Sequence, residues 1–171
     1  MRSIAENAQL ALLLEVTGTP KPGNVDRHHE YPDLRFEHFV AGAVGARGGL
    51  DALAADIELG SAFERAINGM SHQSGGNTQF GAILLLAPLV RAAAEDRLAP
   101  EGVSDVVAAT SVDDAVEFYR AFEHVDVAIG EPPADLDAPD VRLGAEAEPA
   151  LREAELTLAD VMAESADVDG V

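Results

Sequence analysis

The chain holds one lysine, Lys21, and it falls inside Thr19-Pro20-Lys21-Pro22-Gly23-Asn24-Val25-Asp26-Arg27. Lysine and arginine together number 11 against 31 aspartates and glutamates, so a cation kept between two prolines stands out. Lys21 and Arg27 can neutralise phosphate oxygens, the arginine by a two-pronged contact. Pro20 and Pro22 restrict the backbone and reduce the entropy lost when a ligand is gripped. Gly23 can take a positive φ and expose amides to an anion, and Asn24 adds a polar amide beside it. Asp26 would repel a bare phosphate, yet it can hold a magnesium ion that bridges to one. It can alternatively accept a proton from an attacking hydroxyl. The structural alternative for the whole stretch is a stiff connector whose charges face water. His28 and His29 lack metal-site spacing and read as solvated or hydrogen-bonded.

A second polar stretch, Ser71-His72-Gln73-Ser74-Gly75-Gly76-Asn77-Thr78, leads through Gln79-Phe80-Gly81 into an apolar segment. Free amides and the helix dipole make such a junction attractive to anions, which marks Gly76, Asn77, Thr78, Gln79 and Gly81 as ligand-binding candidates. Neither G-x-x-x-x-G-K-[ST] nor G-x-G-x-x-G occurs, so this is not a P-loop. The alternative is a plain helix cap, with Gly81 admitting a close neighbouring helix. His72 reads as a local hydrogen-bonding residue. Asp113, Asp114, Asp167 and Asp169 lie near helix ends, where capping and solvation account for them.

Helices must position these two loops. Ser3-Ile4-Ala5-Glu6 is a capping-box pattern, followed by Ala8, Leu12 and Val16 at helical spacing. This helix should end near Gly18, since Pro20 and Pro22 forbid its continuation. Thr19 to Leu34 then form a long loop of the kind that usually carries function. Helical patterning resumes at Arg35, with Phe36, Phe39, Val40 and Val44 on one face and Gly42, Gly45, Gly48 and Gly49 permitting close packing or a break. A further helix is expected from Leu53 to Met70, with an interruption at Gly60 where Ser61-x-x-Glu64 can start a new one. Asn77 or Thr78 caps the next helix, which runs to about Asp96 and is kinked by Pro88. Val103 to Ala109 and a helix opened by Ser111-Val112-Asp113-Asp114 follow. Val125 to Gly144 reads as a surface loop, with Val125 to Ile129 a candidate short strand. Glu146 to Glu155 and Thr157 to Ala166 read as helices. The fold class is all-α: one compact multi-helix domain over residues 1–171 with two functional loops.

Composition narrows the function classes. With no cysteine, disulfides, thiolate metal sites and cysteine nucleophiles are excluded. The net charge of −20 is spread along the chain and repels nucleic acid and anionic membranes. Acid-rich surface with arginine in place of lysine fits a salt-rich, halophilic setting, where screening tames self-repulsion. The apolar run Phe80 to Val90 falls short of the roughly 20 residues of a membrane span, so a buried helix is expected there. A soluble cytoplasmic protein follows, with neither nucleic acid nor membrane as partner and a homo-oligomer left open.

The two loops together resemble the triphosphoribosyl-dephospho-CoA synthase family, in particular its archaeal relatives. The matching pieces are Thr19 to Arg27, where the family typically reads T-P-K-P-G-L-V-D-R, and Gly76-Asn77-Thr78-Gln79-Phe80-Gly81-Ala82-Ile83, where it reads G-x-N-T-H-x-G-x-I-F. The resemblance implies an all-helical transferase that uses ATP and magnesium. Such an enzyme moves the triphosphoribosyl group of ATP onto a ribose hydroxyl of dephospho-CoA and releases adenine, making a prosthetic-group precursor. By that likeness Lys21 and Arg27 hold the triphosphate, Asp26 holds magnesium or orients the hydroxyl, and Asn77 and Thr78 sit on phosphate or ribose. Three departures bear on it. Asn24 replaces an apolar residue. Gln79 replaces a histidine, removing an acid or phosphate contact. The family's chains continue past the point matching Val171, so a C-terminal helical portion is expected to be missing. These departures keep two alternatives in view: a non-catalytic nucleotide-binding helical protein, and a related ATP-using enzyme with another acceptor.

Overall fold

A computed structural model describes residues 1–55, 57–130 and 137–169, with the backbone alone over 165–169. Among the described residues the regular structure is helical and no strand occurs. The helices are α1 (Ile4–Thr17), α2 (Phe36–Gly45), α3 (Arg47–Ala54), α4 (Leu59–Ser71), α5 (Phe80–Ala94), α6 (Pro100–Ala108) and α7 (Val112–Ala121). A 3₁₀ helix (Val141–Ala147), α8 (Glu148–Glu153) and α9 (Leu158–Asp169) complete it.

Local chemistry sets the helix starts. Ser3 Oγ accepts the Glu6 amide while Glu6 returns a bond to the Ser3 amide, so α1 opens on a complete capping box. Ser111 and Asp114 do the same for α7. The Asp114 carboxylate also accepts the Gly60 amide at 2.7 Å and so caps α4 across the fold. This contact explains a boundary that the sequence pattern misplaces. The expected helix from Leu53 to Met70 is two helices: α3 ends at Ala54, and α4 begins at Leu59 rather than at Ser61. Gly60 does not interrupt α4; it lets the backbone of Asp114 approach so closely that an added Cβ would lie 2.4 Å from its carbonyl oxygen.

α4 lies centrally, flanked by α2, α3, α5 and α7. Its buried Phe63 and Ile67 join Phe80, Ile83, Phe118 and Tyr119 in the main core, where Phe63, Phe80 and Phe118 pack ring against ring. Glycines thin the crossings: Gly45 meets the backbone of Gly69, and Gly49 meets that of Ala66, each with no room for a Cβ. Two expectations are corrected. Val125 to Ile129 forms no strand, and the segment expected as a surface loop ends in the 3₁₀ helix from Val141; its residues 131–136 lie outside the described residues. α5 is not buried all round, since Leu85 is 58% exposed and Leu89 is also exposed. Among the described residues no helix is long and apolar enough to cross a membrane.

Candidate functional site

The first loop is ordered by one apolar anchor and one carboxylate. Val25 is buried between Val16 of α1 and Phe39 of α2, forming a small core separate from the main one. Full burial of a valine side chain contributes about 1.5–3 kcal/mol, an anchor that the hydrogen bonds of the loop supplement. Next to it Asp26, 3% exposed, gathers the backbone. Its Oδ2 accepts the Lys21 amide at 2.9 Å, and its Oδ1 accepts the amides of His28 and His29 at 2.7 and 3.0 Å. The amide of His28, then that of Lys21, with His29 behind them, holds the Asp26 carboxyl below the ordinary carboxylate value of 3.8; burial opposes this only in part. Asn24 Oδ1 accepts the Val25 amide at 2.8 Å, so its side chain also shapes the turn. Gly23 takes φ 77° and opens onto free space. His28 and His29 therefore serve the loop through their amides, and the His29 ring meets Tyr31 edge to face.

The two cations of this loop differ. Lys21, with 17% of its side chain exposed, forms an ion pair with Glu15 of α1. Its Nζ lies 5.9 Å from the centre of the Phe39 ring. Arg27 is exposed and has no ion-pair partner among the described residues.

The second loop is held by its own amides and by α2. Gln73 Oε1 accepts the Gly75 amide, and Gln73 Nε2 donates to the Gly76 carbonyl, both at 2.6 Å. The N-cap position of α5 is Gln79, with no side-chain cap bond, and it is Asn77 rather than Thr78 that reaches the helix start: its Oδ1 accepts the Phe80 amide at 3.1 Å. Thr78 Oγ1 is buried without a partner and lies against Gly42, where a Cβ would be 2.6 Å from it. Gln79, 4% exposed, is turned inward. Its Nε2 donates to the Leu12 carbonyl of α1 at 2.9 Å and its amide faces Met70 Sδ, while its Oε1 is buried with no partner.

The first turn of α5 leaves the amides of Gly81 and Ala82 without a protein partner among the described residues. Gly81 is not a packing glycine: a Cβ there would meet nothing within 4 Å. The structural alternative for Gly81, a close neighbouring helix, is not found. Gly76, at φ 67°, also opens onto free space.

α2 joins the two loops. Phe39 carries Val25 and Lys21 on one side, and Gly42 faces Thr78 on another. Among the described residues no hydrogen bond or ion pair links the candidate residues of one loop directly to those of the other. The link is His38, which sequence reading passed over. It is buried, its Nδ1 accepts the Arg35 amide at 3.2 Å, and its Nε2 lies 3.4 Å from Ser74 Oγ. A side-chain acceptor at the third residue of α2, bonding back to the residue before that helix, is a signal the sequence does carry.

Elsewhere the acidic residues act structurally. Asp113 pairs with Arg152 at 2.8 Å and Asp114 caps α4 and α7; His72 is exposed at the end of α4. The side chains of Asp167 and Asp169 lie outside the described residues. Among the described residues no group of three or more His, Asp or Glu is placed to hold a metal ion.

The family model for ATP:dephospho-CoA triphosphoribosyl transferases (CitG) matches residues 1–171. No curated protein and no solved structure matches the chain.

Proposed function

The chain belongs to the ATP:dephospho-CoA triphosphoribosyl transferase family, and from that membership we propose that it transfers the triphosphoribosyl group of ATP to dephospho-CoA. The bond from the anomeric carbon of ATP to adenine breaks, and a bond to a ribose hydroxyl oxygen of the acceptor forms. Adenine leaves with the electron pair, and the hydroxyl proton balances it. The observation that carries this reading is Gly81. Gly81 is the second residue of α5, and no neighbour within 4 Å requires a glycine there. A bare backbone beside two unpartnered amides suits the close approach of a phosphate.

In this reading Arg27 supplies an unpaired cation, and Lys21 exchanges Glu15 for a phosphate oxygen. Gly23 and Gly76 leave the backbone accessible, and Asn77 and Thr78 lie where the second loop meets the ligand. Bound magnesium would neutralise charge on the triphosphate, and Asp26, whose Oδ2 accepts a single amide while Oδ1 accepts two, is the residue of this loop that would hold it. Asp26 acts as the brace that presents Lys21 and Arg27. The charge of −20 supports a salt-rich cytoplasm as the working environment.

The test is incubation with ATP, magnesium and dephospho-CoA in high salt. Adenine release, with the acceptor gaining the mass of a triphosphoribosyl group, is the expected result. Adenine release only with another acceptor would replace the substrate in this reading. ATP binding without turnover would favour a non-catalytic nucleotide-binding protein, a reading that Gln79 supports by pointing into the core. Lys21→Ala should lower turnover about a hundredfold, the scale of losing one charge-stabilising contact; unchanged turnover would remove Lys21 from the site.

A further inference from the structure

We propose that His38 is a positioning residue that fixes the second loop against the end of the first. This inference rests on the functional reading above only for its activity readout. Because Nδ1 accepts the Arg35 amide, the neutral ring carries its proton on Nε2. That proton points to Ser74 Oγ at 3.4 Å, a long contact but the polar bridge from α2 to this loop. A second feature ties the same ring to the loop by shape. A Cβ on Gly75 would lie 2.0 Å from His38 Nδ1 and 2.4 Å from Cγ, so the loop backbone rests directly on the imidazole. Gly75 is therefore glycine because His38 is there, unlike Gly76 and Gly81, which face open space.

The bridge has mechanical meaning because of what lies at each end. Arg35 closes the loop that carries Lys21, Asp26 and Arg27. Ser74 and Gly75 precede Gly76, Asn77 and Thr78. The first loop is braced from within by Asp26, whereas the second reaches α2 through this ring and the Thr78 contact with Gly42. Loosening the ring should let the second loop drift and weaken its grip on phosphate without undoing the helices.

Three variants of the full chain separate this role from helix capping. In His38→Asn the amide oxygen can still accept the Arg35 amide but the side chain is too short for Ser74. In His38→Gln the terminal nitrogen can reach Ser74. Ser74→Ala removes the acceptor alone. For His38→Asn and Ser74→Ala the KM for ATP should rise about fivefold with kcat nearly kept, the scale of one lost neutral hydrogen bond. His38→Gln should remain close to the unaltered protein. Hydrogen exchange at the Gly75 and Phe80 amides, which are hydrogen-bonded within this loop, measured without ATP, should accelerate in His38→Asn and Ser74→Ala and not in His38→Gln. If the unaltered protein releases no adenine, the functional reading fails while the exchange experiment still decides the role of His38. Ser74→Ala with unchanged exchange overturns the proposal, as does His38→Gln loosened as far as His38→Asn. Should a His38 variant fail to fold, Ser74→Ala alone decides.

Discussion

In the first loop the Asp26 carboxylate takes amides from Lys21, His28 and His29, and Asn24 takes the amide of Val25. In the second, among the described residues, Thr78 Oγ1 and Gln79 Oε1 are buried without partners, and the amides of Gly81 and Ala82 have none. The buried carboxylate of the first loop is engaged by its own chain, whereas two buried side-chain oxygens of the second are not. A buried polar group without a partner costs about 1–3 kcal/mol, so Thr78 Oγ1 and Gln79 Oε1 carry a cost that the Asp26 carboxylate does not. Among the buried side chains, bonding is met in the first loop and unmet in the second. Substitutions in the first should damage shape and function together. Those in the second should separate them.

The largest effect is expected at Asp26. In Asp26→Asn the amide nitrogen must face at least one backbone N–H that the carboxylate now accepts, so the loop cannot keep its form. Displacement of Lys21 and Arg27 by even about 1 Å should lower turnover about a hundredfold. The same residue sets an acid dependence. Its carboxyl is held below 3.8 in the folded state, so its contribution to stability is present above that value and lost as pH falls through the lower folded one. Unfolding midpoints measured between neutral and strongly acid pH should show this loss in the unaltered protein and a shallower one in Asp26→Asn. Equal slopes would mean that Asp26 is not the brace.

Gly81→Ala should move stability and function in opposite directions. Alanine at this helical position adds up to about 1 kcal/mol of stability, and the open space around it offers no clash. The methyl group would stand where the phosphate approaches, and ATP affinity should fall about tenfold, or 1.4 kcal/mol. Calorimetric binding and thermal unfolding on one sample check both signs. A stabilised variant with full affinity would leave Gly81 unexplained and weaken the assignment of the second loop.

Much of this was legible in the chain because it is local. The capping boxes at Ser3 and Ser111, the end of α1 before Pro20 and the loop from Thr19 to Leu34 follow from neighbouring residues alone. What was not legible depends on partners distant in sequence. Gly60 reads as a helix break until the Asp114 backbone is seen against it, and α4 starts at Leu59 because Asp114 caps it from α7. His38 carries only a local capping signal until Ser74 and Gly75 are laid on its ring. At Gly81 the chain leaves two readings open, ligand approach and helix packing, and only the surroundings show that nothing packs there.

Smaller effects test the unfilled atoms themselves. Thr78→Val keeps the shape of the side chain and replaces the unpartnered hydroxyl with a methyl group. It should stabilise the ligand-free protein by about 1 kcal/mol and weaken ATP binding if that hydroxyl meets the ligand. Loss of stability instead would show that Oγ1 has a partner, such as a bound water.

The smallest shift is expected at Gln79, although it is among the most buried polar residues of the chain. Gln79→Met keeps length and volume and removes both polar ends. The bond from Nε2 to Leu12 is lost, at a cost of about 1 kcal/mol, and the unpartnered Oε1 disappears with a gain of similar size. The Leu12 carbonyl retains its place inside α1. The two terms should cancel to within about 1 kcal/mol, so the unfolding midpoint should barely move. A loss of more than about 2 kcal/mol would mean that Oε1 is satisfied, and the second loop would then be as complete as the first. Turnover in the same variant carries the comparison into function. If Gln79 only ties the loop to α1, adenine release should fall slightly and in step with any loosening. A large fall at unchanged stability would instead bring Gln79 to the ligand, in the position where the family pattern carries its histidine.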